Sequence, residues 1–163
     1  MIDTKEYNSA VREYTRNLFR YVFKSLRDEE ASNDIVQDCF LKLWNEKEKV
    51  NNLKIKYWLF ATAHNTMINY LKKSSKMVSI DSVLYDEPHA TPKSDFDVKE
   101  ILEKSLDTLP TIQKTIILLR DLEGYNYQEI GEILSLSEAQ VKVYLFRGRQ
   151  KIKDLLKHLH AVL

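Results

Sequence analysis

The sequence has few of the residues that a sheet-rich or a secreted protein needs. Three glycines and three prolines occur in 163 residues, which is too few turn residues for a fold of many short strands. The single cysteine, Cys39, cannot form an internal disulfide, so the chain does not look built for an oxidising compartment. Because Cys39 lies in an apolar helical pattern, we expect a buried thiol rather than a reactive one.

Long hydrophobic runs and a dominant charge are also missing. No apolar stretch approaches the roughly 20 residues that would span a bilayer, and the polar residues 1–7 lack the apolar core of a signal peptide. We therefore expect a soluble, cytoplasmic protein. Lysine and arginine number 25 against 24 acidic residues, so net charge indicates no partner. A hydrophobic fraction of 44% is enough to bury a core.

The charges are instead sorted into blocks along the chain. Five acidic residues follow a single arginine between Arg27 and Cys39, whereas residues 49–76 hold six lysines and no acidic residue. Two neighbouring segments of opposite sign do not suit one partner surface. They indicate two different partners.

Apolar periodicity predicts helices in the N-terminal part. One runs from about Tyr7 to Leu26, a second to about Glu46, and a third opens at Tyr57 and ends near Lys73. The sequence leaves open whether Trp44 and Trp58 are core or contact residues. The residues predicted to face inward on the second helix are Ile35, Val36, Cys39, Phe40 and Leu43.

Residues 77–96 change character, because Pro88 and Pro92 stand among acidic residues without an apolar period. We predict a flexible linker there. The fold class is therefore all-α, with two small helical domains at residues 1–76 and 97–163. The second domain contains a helix-turn-helix.

The helix-turn-helix is predicted from a helix over residues 127–134, a short serine-leucine-serine turn and a last helix from Glu138 to about His158. Asn126 suits the cap of the first helix, and Ser137 and Gln140 form a capping box for the second. Gly131 supplies the small residue where the two helices touch. Val141 and Leu145 are the predicted inner anchors of the last helix.

The rest of the last helix is basic, with six lysines and arginines against two acidic residues between 138 and 158, a net +4. Such a helix suits the DNA major groove and its phosphates, although a solvated basic helix is the alternative. The predicted phosphate contacts are Arg149 and Lys151. The predicted base-facing residues are Gln140, Lys142, Val143, Phe146 and Arg147.

Three stretches together resemble the extracytoplasmic-function (ECF) sigma factors of bacterial RNA polymerase. Residues 125–149 resemble region 4 of that family, residues 34–44 region 2.2, and residues 57–73 regions 2.3 and 2.4. The order and spacing of the three are also those of the family. Four residues depart from its pattern. Gly148 and Gly131 stand where alanine is usual, and glycine inside a helix costs about 1 kcal/mol relative to alanine. Val143 and Tyr144 stand where serine and arginine are frequent.

The resemblance implies a transcription initiation factor that binds core RNA polymerase, through its β′ coiled coil and β flap, together with promoter DNA. It also implies an anti-sigma partner, which in this group is often membrane-anchored. It places the β′ contact at Asp34, Gln37, Asp38, Leu41 and Trp44. Recognition of the −10 element falls to Asn65, Asn69, Lys72 and Lys73, and −35 recognition to the last helix.

Two alternatives differ in class from this interpretation. A helix-turn-helix regulator that binds DNA without polymerase would share the C-terminal part, but it leaves the acidic and lysine-rich segments unexplained. An enzyme is disfavoured, because the four histidines are scattered and neither a phosphate-binding glycine loop nor a nucleophile motif occurs. We therefore predict no catalytic residue, metal, cofactor or small-molecule substrate.

Overall fold

Three helices form the N-terminal half of the protein in a computed structural model, which describes the backbone of residues 1–81 and 98–162 and the side chains of residues 1–75 and 98–158. Helix α1 spans Thr4–Leu26, α2 spans Glu29–Asn45 and α3 spans Ile55–Asp81. A 3₁₀ turn, Asn52–Lys54, leads into α3. Helix and turn account for all the regular structure in the two described ranges, which confirms the all-α prediction.

Local side chains fix where the first two helices begin. The Asp3 carboxylate accepts a hydrogen bond from the Glu6 backbone N–H at 2.7 Å, and the Glu6 carboxylate accepts one from the Asp3 N–H at 2.9 Å. This capping box extends α1 three residues before its predicted start. Arg27, at φ 58°, ends α1 in the left-handed conformation. Asp28 then caps α2 by accepting from the Ala31 N–H at 3.0 Å.

The third helix is longer than predicted at both ends. It begins at Ile55 rather than Tyr57, and it continues to Asp81 instead of ending near Lys73. The apolar pattern stops at Leu71, but the following lysines and Met77 keep good helix propensity. The predicted domain end at residue 76 therefore falls inside a helix. Residues 82–96 of the predicted linker lie outside the described residues.

Residues 98–162, the described part of the C-terminal half, form four helices: α4 (Val98–Asp107), α5 (Thr111–Ile117), α6 (Tyr127–Leu134) and α7 (Glu138–Val162). Pro110 precedes α5, which widens into a π-helical turn at Leu118–Leu122. The predicted caps are confirmed. Asn126 and Glu129 form a reciprocal capping box on α6, and Ser137 and Gln140 form one on α7, at 3.1 and 2.9 Å.

Each half has a buried core that follows the predicted periodicity. All five inward positions of α2 are buried, and Val141 and Leu145 anchor α7 at 0% and 3% exposure. The apolar spacing of residues 98–109 predicts that Val98 and Leu102 face inward, but they are 68% and 39% exposed. Full burial on α4 begins further along, at Ser105. The largest fully buried side chains of the two cores include Leu18, Tyr21, Leu43, Phe60, Met67, Ile116, Leu119 and Ile130.

The two halves pack directly against each other, which the sequence did not predict. The ring of Tyr125 meets Phe60 edge-on at 5.2 Å between centroids and lies 6.2 Å from Tyr57. Arg20 pairs with the carboxylate of Glu123 at 3.1 Å. The buried residues of both halves therefore form one continuous cluster, and Tyr125 lies at the junction.

Candidate functional site

One face of α2 carries the acidic residues that were predicted to bind polymerase. Asp34, Gln37, Asp38, Leu41 and Trp44 are all exposed, because the opposite side of the helix is taken up by the core. Leu41 is 57% exposed, which is high for a large apolar side chain. The structure thus brings all five predicted residues to one surface, which we call the α2 face.

Trp44 is held by its neighbours and still reaches solvent. Its ring meets that of Tyr7 edge-on at 5.0 Å, and the Lys47 ammonium lies 3.5 Å from the ring centroid. The side chain is 38% exposed. A large ring in a fixed orientation with an open side is the type of residue that anchors protein interfaces. Trp44 is therefore partly packed and partly available for contact.

A shallow groove beside the α2 face adds residues that the motif comparison missed. It is lined by Asp28, Glu30, Asp34 and Asp38 of the α2 segment and by Tyr70 of α3. The Tyr70 hydroxyl donates to Asp28 at 3.4 Å. The acidic side of the groove could be found in the sequence, because its residues form a run of acids. Tyr70 could not be found that way, because it comes from a different helix.

The predicted −10 residues form an exposed stripe on α3. Asn65, Asn69, Lys72 and Lys73 stand at positions i, i+4, i+7 and i+8 of one helix and are all exposed. This spacing places them within about 100° of the helix surface. Two amides followed by two ammonium groups can offer hydrogen bonds to base edges and charge to phosphates. We call this set the α3 stripe.

The aromatic residues at the start of α3 are mostly packed against other residues and are not open to solvent. Phe60 is fully buried and Trp58 is partly buried against the core. Helical spacing favours core positions for at least two of Tyr57, Trp58 and Phe60, and Phe60 and Trp58 take such positions. Tyr57 instead faces the C-terminal half, where its hydroxyl donates to Glu129 at 2.6 Å. This hydrogen bond is the main reason that the pKa of Tyr57 rises to about 12.

The exposed side of α7 places the predicted −35 residues opposite its buried anchors. Val143 and Phe146 are 45% and 69% exposed, and Arg147 is exposed beside them. These three lie centrally on the outer side of the helix. Gln150 is exposed on the same stripe one turn later. It was not predicted, because the stretch that resembles region 4 ends at Arg149. We call Val143, Phe146, Arg147 and Gln150 the α7 face.

The remaining predicted −35 residues flank the α7 face, and most already have partners. Arg149 pairs with Asp121 at 2.6 Å, and Lys142 lies 3.7 Å from Glu138. The side-chain oxygen of Gln140 accepts the Ser137 N–H, so only its amide NH₂ is free to bind a base. Lys151 is exposed on the other flank. A contact by Arg149 with phosphate requires exchange with Asp121.

Two glycines explain the close helix packing around α7. A Cβ on Gly131 would lie 2.6 Å from the Leu136 carbonyl oxygen, so this turn needs glycine in its present geometry. A Cβ on Gly148 would lie 2.8 Å from Ile117 Cδ1. Smallness alone was predicted to matter at residue 131. The structure shows a tighter constraint there, set by the backbone.

Cys39 is buried, and burial raises the pKa of its thiol to about 12, as expected for a packing residue. Within residues 1–75 and 98–158 no group of three or more histidine, cysteine or acidic side chains is arranged to hold a metal ion. None of the helices in the described part of the chain is both long and apolar enough to cross a membrane.

Comparison with protein families gives two matches in chain order. Residues 10–77 match the family described as Sigma-70 region 2, and residues 99–152 match Sigma-70, region 4. The first match contains the α2 face and the α3 stripe. The second contains the helix-turn-helix and the α7 face.

Two relatives resemble the chain over most of their length. The ECF RNA polymerase sigma factor SigM of Bacillus subtilis (strain 168) is 30% identical over 146 residues, which is 87% of this chain and 90% of SigM. The ECF RNA polymerase sigma-E factor of Haemophilus influenzae is 27% identical over 176 residues, covering 96% of this chain and 90% of that protein.

Solved structures show the same fold. The sigma factor RpoE of Bartonella quintana, in complex with the anti-sigma factor NepR, superimposes with a TM-score of 0.75 at 21% identity, covering 94% of this chain and 98% of RpoE. CnrH in complex with the cytosolic domain of CnrY gives a TM-score of 0.72 at 20% identity, covering 96% of this chain and 90% of CnrH. The helical fold of the described residues is therefore shared with both.

Proposed function

The chain belongs to the ECF group of the sigma-70 family, and from this premise we propose that its three exposed faces divide the work of a sigma factor. A sigma factor binds core RNA polymerase and directs it to promoters. We assign core polymerase to the α2 face, the −10 element to the α3 stripe and the −35 element to the α7 face. The chain then acts where polymerase and chromosome are, in the cytoplasm, and carries no chemistry of its own.

The observation that supports this assignment best is the sorting of charge by element. Five acidic residues lie between residues 28 and 38, at the start of α2 and along it, whereas α3 up to Ser75 contains no acidic residue and α7 has a net +4 between residues 138 and 158. DNA repels the first surface and attracts the other two. One chain that must hold a protein and two DNA elements needs this separation.

On the α2 face we propose that Asp34 and Asp38 meet basic residues of the polymerase β′ coiled coil. Leu41 and Trp44 supply the apolar anchors. Exposed ion pairs contribute only about 0.2–1 kcal/mol each to binding. Truncation of a buried aromatic anchor at the centre of an interface costs about 2 kcal/mol or more of binding free energy. Trp44 therefore provides affinity, and the acids provide orientation and rate of association. Contact of the C-terminal half with the β flap follows from the family.

On the α3 stripe we propose that Asn65 and Asn69 hold unpaired bases of the −10 element. Extruding a base from the duplex costs a few kcal/mol, which hydrogen bonds to its edge can offset. Lys72 and Lys73, one turn further on, then hold the adjacent phosphates. An asparagine side chain offers both a donor and an acceptor, so it can pair with an adenine edge.

On the α7 face we propose that Arg147 reads a base edge in the major groove, flanked by Val143 and Phe146. Apolar side chains at such positions contact the methyl group of thymine. Lys142, Arg149 and Lys151 lie on the two flanks of the helix, where the phosphate backbone passes. Gln140 keeps its amide NH₂ for a base or phosphate while its oxygen caps the helix.

We also propose that an anti-sigma protein restrains the chain. The Bartonella quintana RpoE structure contains the anti-sigma factor NepR, and the CnrH structure contains the cytosolic domain of CnrY. The similarity of fold covers 98% of the RpoE chain and 90% of the CnrH chain. A protein of the anti-sigma class is therefore the regulator that we expect.

Transcription from a library of genomic fragments of the source bacterium tests the proposal. Core polymerase from that bacterium is supplied with the chain, and the 5′ ends of the transcripts are sequenced. We expect new start sites that share a −35 and a −10 sequence and that disappear with Asp38→Arg. A regulator that binds DNA without polymerase would create no new start sites with core polymerase alone.

A further inference from the structure

A groove opens between the start of α6 and the outer side of α7, beside the α7 face. Three of the side chains that line it are cations, and its lining residues include no acid. A cationic groove beside the proposed −35 surface suits the phosphate backbone of a duplex. Its aromatic and polar lining consists of Tyr127, Lys142, Phe146, Arg149, Gln150 and Lys153.

Carboxylates that lie outside this groove already hold two of its cations. Arg149 donates to Asp121 through two nitrogens, with Nη2 at 2.6 Å from Oδ1 and Nε at 3.4 Å from Oδ2. The Lys142 ammonium lies 3.7 Å from Glu138, which is one turn earlier on the same helix. Asp121 differs from Glu138 because it reaches α7 from another element of the fold. The pair of Arg149 and Asp121 is therefore a tertiary contact.

The π-helical turn at the end of α5 carries Asp121. The Glu123 N–H donates to the carbonyl oxygen of Leu118, five residues earlier, at 3.0 Å. Leu118 and Leu119 are buried, so the turn is anchored in the core. Turns of this kind are rare and occur often at functional sites. The backbone of Asp121 is therefore fixed, while its side chain stays 46% exposed.

The geometry of the pair decides whether Asp121 assists or opposes a phosphate contact by Arg149. The planar guanidinium binds carboxylate and phosphate with the same two-pronged geometry, and Asp121 takes the edge formed by Nε and Nη2. A phosphate that approaches the remaining nitrogen, Nη1, meets the negative charge of Asp121 nearby. Asp121 therefore competes with DNA for Arg149. The side chains are 48% and 46% exposed, so the pair can exchange its partner.

We propose that Asp121 sets the affinity of the chain for duplex DNA, because it occupies Arg149 in place of a phosphate. The inference rests on the proposed function, since it takes duplex DNA to lie along α7. Phosphate contacts carry no sequence information, so the reduction in affinity is the same for a −35 duplex and for random DNA. A lower affinity for the many random sites of a chromosome leaves more of the free chain available to core polymerase.

The opposite role predicts the opposite sign of effect. If Asp121 held Arg149 in position for a phosphate, loss of its carboxylate would weaken DNA binding. Competition predicts that the same change strengthens binding. A gain in affinity is also something that damage to the fold does not produce, because unfolding only lowers the concentration of chain that can bind.

The experiment is a double-mutant cycle on the full chain with D121N, R149A and D121N/R149A. Fluorescence anisotropy measures binding to a labelled random-sequence duplex and to a −35 duplex at low salt. We expect D121N to bind both about twofold to fivefold more tightly than the wild type, the factor that corresponds to one exposed ion pair. In the R149A background, D121N should add no more than the effect of net charge. The cycle isolates the pair from the rest of the chain.

A matched control measures the effect of net charge alone. Asp154 is an exposed acid on α7 whose carboxylate accepts a hydrogen bond from the Gln150 amide at 3.1 Å. D154N therefore changes the net charge as D121N does, but it leaves the pair of Arg149 and Asp121 in place. Its gain in affinity should be smaller than that of D121N and should be the same with and without R149A. The variant D121S also lacks the carboxylate, and it should reproduce the gain of D121N.

Two results would overturn the inference. One is an unchanged or weaker affinity in D121N and D121S, and the other is a gain that persists in full in the R149A background. Neither result bears on the proposed function, which stands as long as the wild type supports promoter-specific transcription with core polymerase. Absence of that transcription would instead overturn the proposed function, whatever the cycle shows for binding to random DNA.

Discussion

The Tyr21 hydroxyl lies 3.3 Å from Nδ1 of His64, and this contact joins α1 to α3 next to the fully buried ring of Phe60. Tyr21 is itself completely buried. His64 immediately precedes Asn65 of the α3 stripe. The core therefore fixes the start of the proposed −10 surface through a neutral hydrogen bond between a phenol and an imidazole.

This contact predicts a pH dependence of stability. Burial lowers the pKa of His64 below its ordinary value, so the unfolded state binds the proton more readily than the folded state. The free energy of unfolding should therefore be largest above pH 6.5 and fall as the pH drops through the lower, folded pKa. The midpoint of thermal unfolding, measured from pH 7.5 to 5.5, checks this.

The variant His64→Gln should lose most of that pH dependence, because glutamine does not titrate. His158, which is exposed on α7, serves as the control, and His158→Gln should keep the full dependence. An equal slope of midpoint against pH in wild type and His64→Gln would contradict the prediction.

Arg147 and Arg149 should differ in their contribution to −35 binding. Arg147 lies centrally on the α7 face, whereas Arg149 lies on its flank and pairs with Asp121 at 2.6 Å. Arg147→Ala should weaken binding to a −35 duplex by about 1–3 kcal/mol and relax the base preference at one position. Arg149→Ala should weaken binding to all duplex sequences evenly, and it should lower the slope of log K against log salt concentration by about 0.9, the value for one phosphate contact. Fluorescence anisotropy with duplexes taken from the transcription experiment checks both.

Affinity for core polymerase is the control for Arg147→Ala, and it should not change because Arg147 is assigned to DNA alone. Equal loss of core binding and DNA binding would count against the α7 assignment. A larger loss of base preference in Arg149→Ala than in Arg147→Ala would reverse the two roles.

Phe146 should matter for DNA binding and not for stability. The ring is 69% exposed, so Phe146→Ser removes little buried surface, and the free energy of unfolding should change by less than about 0.5 kcal/mol. Binding to −35 duplexes should weaken, and the loss should shrink when thymines are replaced by uracils that lack the methyl group. A fall in stability of several kcal/mol would show that Phe146 is a packing residue.

Alanine should be tolerated differently at the two helical glycines. At Gly131 the new Cβ would lie 2.6 Å from the Leu136 carbonyl oxygen, and the turn itself must move. We expect Gly131→Ala to cost about 1–3 kcal/mol, the usual range for overpacking. At Gly148 the nearest atom is the end of the Ile117 side chain, so rotation of that side chain reduces the cost. The midpoint of thermal unfolding should therefore be lower for Gly131→Ala than for Gly148→Ala, and the opposite order would contradict this explanation.

Features set by residues close in sequence could be predicted. The buried positions of α2 follow from a 3.6-residue period, and the helix-turn-helix follows from its caps and its apolar anchors. The extent of α3 was wrong because its last turns carry no apolar period. The predicted start of α1 was three residues too late, because the capping box formed by Asp3 and Glu6 starts the helix before its apolar period begins.

Features set by contacts between distant segments could not be predicted. Arg149 looked free in the sequence, but its partner Asp121 is 28 residues away. The pairing of Tyr57 with Glu129 joins residues 72 apart, and no local pattern marks either of them. The same holds for Tyr70 in the acidic groove. The predicted roles of the site residues in binding stay predictions until they are measured.

The most direct test of the account is co-elution of the purified chain with core RNA polymerase on a sizing column. Asp38→Arg reverses one charge on the α2 face, and Glu13→Arg reverses one exposed charge on α1 as the control. We predict that wild type and Glu13→Arg co-elute with core polymerase at micromolar concentration and that Asp38→Arg does not. Co-elution of Asp38→Arg at wild-type level would contradict the α2 assignment, and failure of the wild type to co-elute would contradict the proposed function.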